Sequence, residues 1–282
     1  MDHSRRRQGG RARRTGGNRI RQLPRLTVVN PYPPMELLSA DQLEAIHLTS
    51  LRILEELGME VMSARALGLL KAAGAEVDAA TRNVRLDRGL IETALRSAPA
   101  SFVLTPRNEA NRVILGANHI NFGLVAGPPN VHDCERGRRS GNYRDYCDFI
   151  RLAQYFNVVH LIGNQVCAPT ELPANTRHLD TYRANLLYCD KVYHCSAIGA
   201  GRALDGIRMM AISRGLTLSR LAESPGVITI ISVNSPRRFD EAMLDGLIAM
   251  AEHGQAVVIT PFTLMGAMAP AALAAALAQQ NA

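Results

Sequence analysis

The residues able to do chemistry in this 282-residue chain fall in five short runs, each closing an apolar stretch. The first is Gly127-Pro128-Pro129, with His132 and Asp133 just beyond. The second is Asn164-Gln165-Val166-Cys167, and the third is Ser196-Ala197-Ile198-Gly199. The fourth is Asn234-Ser235-Pro236. The last is Thr260-Pro261-Phe262-Thr263, followed by Met265 and Met268. Together they supply amide and hydroxyl groups, a thiol, small residues and apolar surface, but few charges. That inventory suits a site that orients a small substrate against a large cofactor, which then carries the difficult chemistry.

Other chemistries find less support. The chain has two lysines, Lys71 and Lys191, and Lys191 opens an apolar run rather than closing one, which argues against Schiff-base catalysis. No His-x-His or His-Glu-x-x-His spacing marks a metal hydrolase, and no resident metal is expected. His160 and His194 fall at matching depth in two apolar runs; they read either as a metal pair or as hydrogen-bonded wall residues. Asp133 is a functional acid or a turn cap. Cys167 is a nucleophile or a buried thiol without a partner histidine. Phe122, Phe262, Met265 and Met268 are packing residues or an apolar pocket for a methylated amine or a cofactor face.

The elements that must position these groups alternate. β-rich runs at 120–126, 158–164, 192–198, 227–234 and 256–262 are separated by helical runs near 143–156, 174–189, 201–215 and 238–253, with a last helix from 270. Near-continuously apolar strands separated by helices predict a parallel sheet covered by helices. Strand starts recur every 29 to 38 residues, which favours a (β/α)₈ TIM barrel over an open doubly wound sheet. No Gly-x-Gly-x-x-Gly follows the first strand, which argues against dinucleotide binding. About five strand–helix units are legible where a barrel needs eight, so the barrel is expected to be incomplete by about three units. Ahead of it, Ser39 with Gln42 forms a capping box for a first helix, and further short helices and strands follow. Three segments are therefore expected: a basic Arg/Gly-rich tail at 1–34, an α+β cap at 35–118, and a partial TIM barrel at 119–282.

The formal net charge of +7 invites a nucleic-acid reading, yet residues 1–25 hold nine arginines and a single acid. The remainder is close to neutral, so nucleic acid is not expected as a partner of the body. The tail reads as a polyanion contact, a dock for an acidic partner, or a solvated extension. Five scattered cysteines without a Cys-x-x-Cys pair suit reduced thiols in the cytoplasm, and no apolar run is long enough to span a membrane. A homo-oligomer is left open.

The chain also resembles a known family. The similarity begins in the tail from Arg5 to Arg14 and continues through Ile53-Leu54-Glu55-Glu56-Leu57-Gly58 and Ala73-Gly74-Ala75-Glu76-Val77-Asp78. It runs on through Gly127-Pro128-Pro129, Gln165-Val166-Cys167-Ala168-Pro169, Arg177-His178-Leu179-Asp180, Val233-Asn234-Ser235-Pro236 and Ala276 to Ala282. These segments are similar, in one register, to trimethylamine–corrinoid methyltransferases. The resemblance implies a (β/α)₈ barrel that moves a methyl group from a methylated amine to the cobalt of a corrinoid (cobalamin) carried by a separate small protein. It implies pyrrolysine in members acting on trimethylamine, and quaternary amines such as glycine betaine as substrates of many others. It further implies that this chain is an N-terminal portion of such an enzyme. Substrate contacts are expected from Phe122, Asn164, Cys167, Asn234 and Phe262, and no catalytic residue is assigned. The competing expectations are an inactive truncated fragment, or a different TIM-barrel lyase or hydrolase.

Overall fold

The computed structural model describes residues 20–234 and 236–282; the tail reading for residues 1–19 lies outside them. In chain order the helices are α1 (Ala40–Arg52), α2 (Ala64–Ala72), α3 (Arg88–Ser97), α4 (Tyr143–Tyr155), α5 (Arg177–Tyr188), α6 (Ala200–Arg214), α7 (Leu218–Glu223), α8 (Glu241–Glu252) and α9 (Leu273–Asn281). The strands before α4 are β1 (Val28–Val29), β2 (Met59–Val61), β3 (Glu76–Asp78), β4 (Asn83–Arg85), β5 (Ser101–Leu104), β6 (Val113–Gly116), β7 (His119–Ile120), β8 (Asn130–Asp133) and β9 (Gly137–Ser140). Those after it are β10 (Leu161–Ile162), β11 (Val192–His194), β12 (Val227–Val233), β13 (Arg238–Phe239) and β14 (Ala256–Pro261).

The centre is a four-stranded parallel sheet in the order β10-β11-β12-β14. The architecture is mixed α/β, and the described residues form an open sheet rather than a closed barrel. The expected first strand, 120–126, is the clearest difference. Only β7 at its start is a strand, and it pairs antiparallel with β1. Residues 122–127 nevertheless run beside β10, with a parallel bridge at Gly123–Leu161 and hydrogen bonds from Leu124 N–H to the Leu161 carbonyl and from Gly127 N–H to that of Gln165. Gly127 and Gln165 both adopt positive φ, which breaks the extended geometry a ladder requires. The β8–β9 hairpin was not anticipated by the alternation of strands and helices.

Helices α4, α5, α6 and α8 cover one face of the sheet. Tyr146 and Ile150 of α4, Tyr182 of α5, and Ile207 and Met210 of α6 pack on Ile162, Tyr193 and Val227. Each such side chain removed from water contributes roughly 1.5–3 kcal/mol. Among the described residues the opposite, inner face is covered at the N-terminal ends of the strands, where Leu104 and Val113 of the β5–β6 hairpin pack on Val192 and Ile228. Above that level Ile230 and Val258 are exposed.

Two connections pin the N-terminal part to this sheet. The core beneath β2 and β4 includes Leu244 and Ile248 of α8, and β13 extends the cap sheet as β13-β2-β4-β3. Arg25 donates to the carbonyls of Ala110, Asn111 and Arg112, and Gln22 bonds the backbone of Tyr155 and Asn157. Residues 20–30 thus lie against the body rather than free of it. At the same end Lys191 Nζ donates to the carbonyls of Ala153 and Phe156, satisfying the C-terminus of α4.

Helix α8 approaches the end of β11 so closely that a Cβ on Gly246 would lie 2.0 Å from the Ala197 carbonyl oxygen. Gly246→Ala is therefore expected to destabilise the fold by about 1–3 kcal/mol, read as a lowered urea midpoint with an unchanged slope.

Candidate active site

The C-terminal ends of the four parallel strands and their loops gather the chemistry-bearing groups. Alternation along the strands places Val192 and His194, then Ile228, Ile230 and Ser232, then Ala256, Val258 and Thr260, on the inner face. Cys195 and Thr229 turn to the helix side, where Thr229 Oγ1 donates to the Cys195 carbonyl. At this end the sheet ladder opens. The β10–β11 pairing stops at Ile162–Tyr193, and that of β11 with β12 stops at His194–Ile228.

Side chains take over the N–H groups released there. Tyr182 Oη accepts from Ser196 N–H at 2.6 Å and donates to the Arg202 carbonyl. The His194 ring lies between Ile230 N–H, 2.8 Å from Nε2, and Asn164 N–H, 3.3 Å from Nδ1. Burial alone lowers its pKa to about 4, so the ring is neutral at pH 7.

The expected site residues separate into four places. Asn234 and Phe262 come together at a pocket of about 300 Å³, lined also by Leu54, Met59, Arg237 and Phe239. Asn164 sits at the end of β10, its backbone on His194. Phe122 and Cys167 lie elsewhere. Phe122 stacks on His160, ring centroids 5.8 Å apart, towards the strand N-termini. Cys167 is fully buried in the core beneath α4; burial pushes its thiol up to about 11, leaving little thiolate at neutral pH.

The remaining candidates also resolve. His160 accepts Phe122 N–H on Nδ1 and donates from Nε2 to the Leu26 carbonyl, 3.0 Å each, so its ring is a bridge between backbone segments. Asp133 accepts from Arg136 N–H at 2.7 Å and from Arg139, which also clamps Asp145. The Arg136 N–H, with help from Arg139, holds the Asp133 carboxyl down to about 2; this acid caps the β8–β9 turn. Met265 and Met268 are exposed on the loop after β14.

Sequence reasoning missed the particular geometry of the β10 loop. Gly163 admits the Leu124 carbonyl, which would stand 2.2 Å from any Cβ there. Gln165, two residues on, is held at φ 48°, uncommon for a side chain of this kind. The signal available was the Gly-Asn-Gln run, which reads as turn chemistry.

The described residues thus form an α/β protein whose parallel strand ends carry a partly apolar candidate site without lysine. The trimethylamine methyltransferase (MTTB) family model matches residues 3–282, and the chain belongs to that family. It is 35% identical over 250 residues to a glycine betaine methyltransferase of Desulfitobacterium hafniense, an alignment covering 89% of this chain and 52% of that protein. A trimethylamine methyltransferase of Desulfitobacterium hafniense is 26% identical over 86% of this chain and 49% of its own length. A proline betaine:corrinoid methyltransferase of Eubacterium limosum is 24% identical over 87% and 51%. The chain therefore spans about half the length of these relatives.

His194 gives the fold an acid-sensitive point. Its pKa is lowered on folding, so the unfolded chain binds a proton more readily. Stability is complete above the ordinary histidine value of about 6.5 and is lost as pH falls towards 4, by about 3 kcal/mol in all. Urea melts at pH 7, 5.5 and 4.5 are expected to show the loss. His194→Gln should flatten that part of the profile.

Proposed function

We propose that the chain carries the substrate mouth of a methyltransferase that moves a methyl group from a methylated amine, trimethylamine or a quaternary amine such as glycine betaine, to a corrinoid protein. The observation that carries the reading is the composition of the mouth in a member of this family. Its inner wall offers Ser232, Thr260 and neutral His194 beside Ile230 and Val258, the neighbouring pocket at the strand ends adds Asn234 and Phe262, and neither lysine nor a carboxylate side chain is among these groups. A quaternary ammonium is already a cation with a leaving group. It departs as a neutral tertiary amine, keeping the C–N electron pair, and needs no general acid. A wall of aromatic, aliphatic and amide groups binds such a cation without neutralising it.

The cofactor belongs to the partner protein in this reading, and it supplies a strongly nucleophilic cobalt as methyl acceptor. The exposed loop bearing Phe262, Leu264, Met265 and Met268 suits the broad, mostly apolar face of a corrinoid ring. These residues and Asn234 orient the amine and exclude water. Asn164 lines the same mouth from β10.

The sheet is the first part of a (β/α)₈ barrel in the same reading. A parallel sheet is normally covered on both faces, whereas the inner face is open at Ile230 and Val258 and β14 is an edge strand. The relatives are about twice as long, enough for the remaining units. Among the described residues no helix is long and apolar enough to cross a membrane, as suits a cytoplasmic enzyme.

The test is methyl transfer by the full chain, given reduced corrinoid protein and glycine betaine, proline betaine or trimethylamine, followed by the corrinoid absorption spectrum. Methylation from at least one amine is expected; none from all three contradicts the reading. Phe262→Ala is expected to raise KM by about 3- to 30-fold, the loss of a cation–aromatic contact, with the fold intact by circular dichroism.

A further inference from the structure

An apolar surface separate from the strand ends lies where α1 meets α9. Leu38, Ile46, Leu273, Leu277 and alanines of both helices line a hollow of about 390 Å³ there, with Gln42 and Thr49 as its polar lining. A second hollow on the same seam, about 440 Å³, adds Leu43 and His47. The loop just ahead of α1 carries the complement. Tyr32, Met35 and Leu37 are 74%, 84% and 82% exposed. Three large apolar side chains within six residues, leading straight into an apolar hollow, form a contiguous patch of the kind that marks an interface.

The loop is held in place at both ends. Val28 pairs with Ile120, and Asn30 N–H donates to the Asn118 carbonyl at 2.8 Å. At the far end Ser39 and Gln42 close the capping box of α1. Between them Pro31, Pro33 and Pro34 fix their own φ and keep the residue before each one extended. A segment restricted in this way loses little entropy on docking. Proline-rich chain favours polyproline II with three residues per turn, which sets Tyr32, Met35 and Leu38 on one edge and Glu36 on another.

Leu38 both ends the loop and lines the hollow, so projection and hollow are neighbours on one surface. A two-fold axis beside Leu38 brings each copy's loop onto the other copy's seam, an isologous pairing in which one patch meets itself. The dimensions agree: Gln42 to Thr49 runs about 10 Å along α1, and Tyr32 to Leu37 spans about 15 Å as polyproline II. With Leu38, Leu43 and Leu273, the three loop side chains expose on the order of 600 Å², most of the roughly 800 Å² that each partner of a standard interface buries. Asp41 and Glu44 of α1 are exposed and line neither hollow, so the loop meets no carboxylate there.

We propose that the α1–α9 seam and the loop at 31–38 are the contact between two copies of this chain, each placing Tyr32 and Met35 in the hollow of the other. The test is sedimentation velocity of the full chain over a concentration series, for the wild type, Met35→Glu, Met35→Leu and Ala275→Glu. Met35 and Ala275 are exposed in the single chain, so circular dichroism should be the same for all four. The wild type is expected to dimerise with a micromolar or lower Kd, as an interface of this size gives. Met35→Glu and Ala275→Glu should each weaken the dimer about 10-fold or more, the loss expected at a central anchor, and Met35→Leu should dimerise like the wild type. A monomer at about 100 µM, well above the affinity range of standard interfaces, would overturn the proposal. So would a dimer that both charged variants leave intact, which places the contact elsewhere, such as the edge strand β14. Weakening by Ala275→Glu with none by Met35→Glu would show that something other than the loop fills the hollow, and would overturn it as well.

Discussion

The parallel pairing of β12 with β14, six residues in register from Ile228–Ala256 to Val233–Pro261, is the interaction on which the rest depends. It sets two faces with different fates. Towards the helices, Val227 joins a core with Tyr182, Tyr193, Ile207 and Met250. Towards the inside, Ile228 is buried under Leu104 and Val113 while Ile230, two residues on, is open. The fold is therefore held at the N-terminal ends of its strands and left accessible at the C-terminal ends. Packing and solvent exposure are separated along a single strand.

The same division shows in how backbone groups are satisfied. At the lower end, side chains close the chain upon itself: Lys191 on the last carbonyls of α4, Arg25 on the carbonyls of residues 110–112, and His160 between Phe122 and Leu26. At the upper end the ladder opens, and Tyr182 and His194 hold the freed strand ends apart. Buried rings thus take up backbone N–H groups at the strand ends, the kind of packed support that keeps a site's geometry in place.

Much of the layer order was legible in the sequence. Apolar runs separated by amphipathic stretches placed β10, β11, β12, β14 and the helices between them, and the Ser39–Gln42 capping box is present as expected. The segment at 120–126 was misjudged because composition does not register that positive φ at Gly127 and Gln165 ends the ladder. Part of the candidate site's layout was legible by the rule that strand ends carry chemistry: Asn234 and Phe262 line one pocket, and Asn164 lies past the end of β10 beside His194. Phe122 and Cys167 fall at the strand base and in the core, since a residue's face depends on register and one step inverts it. The placement of the His194 ring between two backbone N–H groups had no sequence signature, because one comes from Asn164 in the loop after β10 and the other from Ile230 of β12.

The central proposal is that the strand ends receive the substrate, and not the cap or the apolar groove of about 390 Å³ that Ile46 of α1 and Leu273 and Leu277 of α9 line. Hydrogen–deuterium exchange of the full chain with and without glycine betaine tests it directly. Protection confined to residues 163–167, 194–198, 230–234 and 260–265 is the predicted result. Protection centred on α1 and α9, or no change at the strand ends with ligand bound, would contradict it.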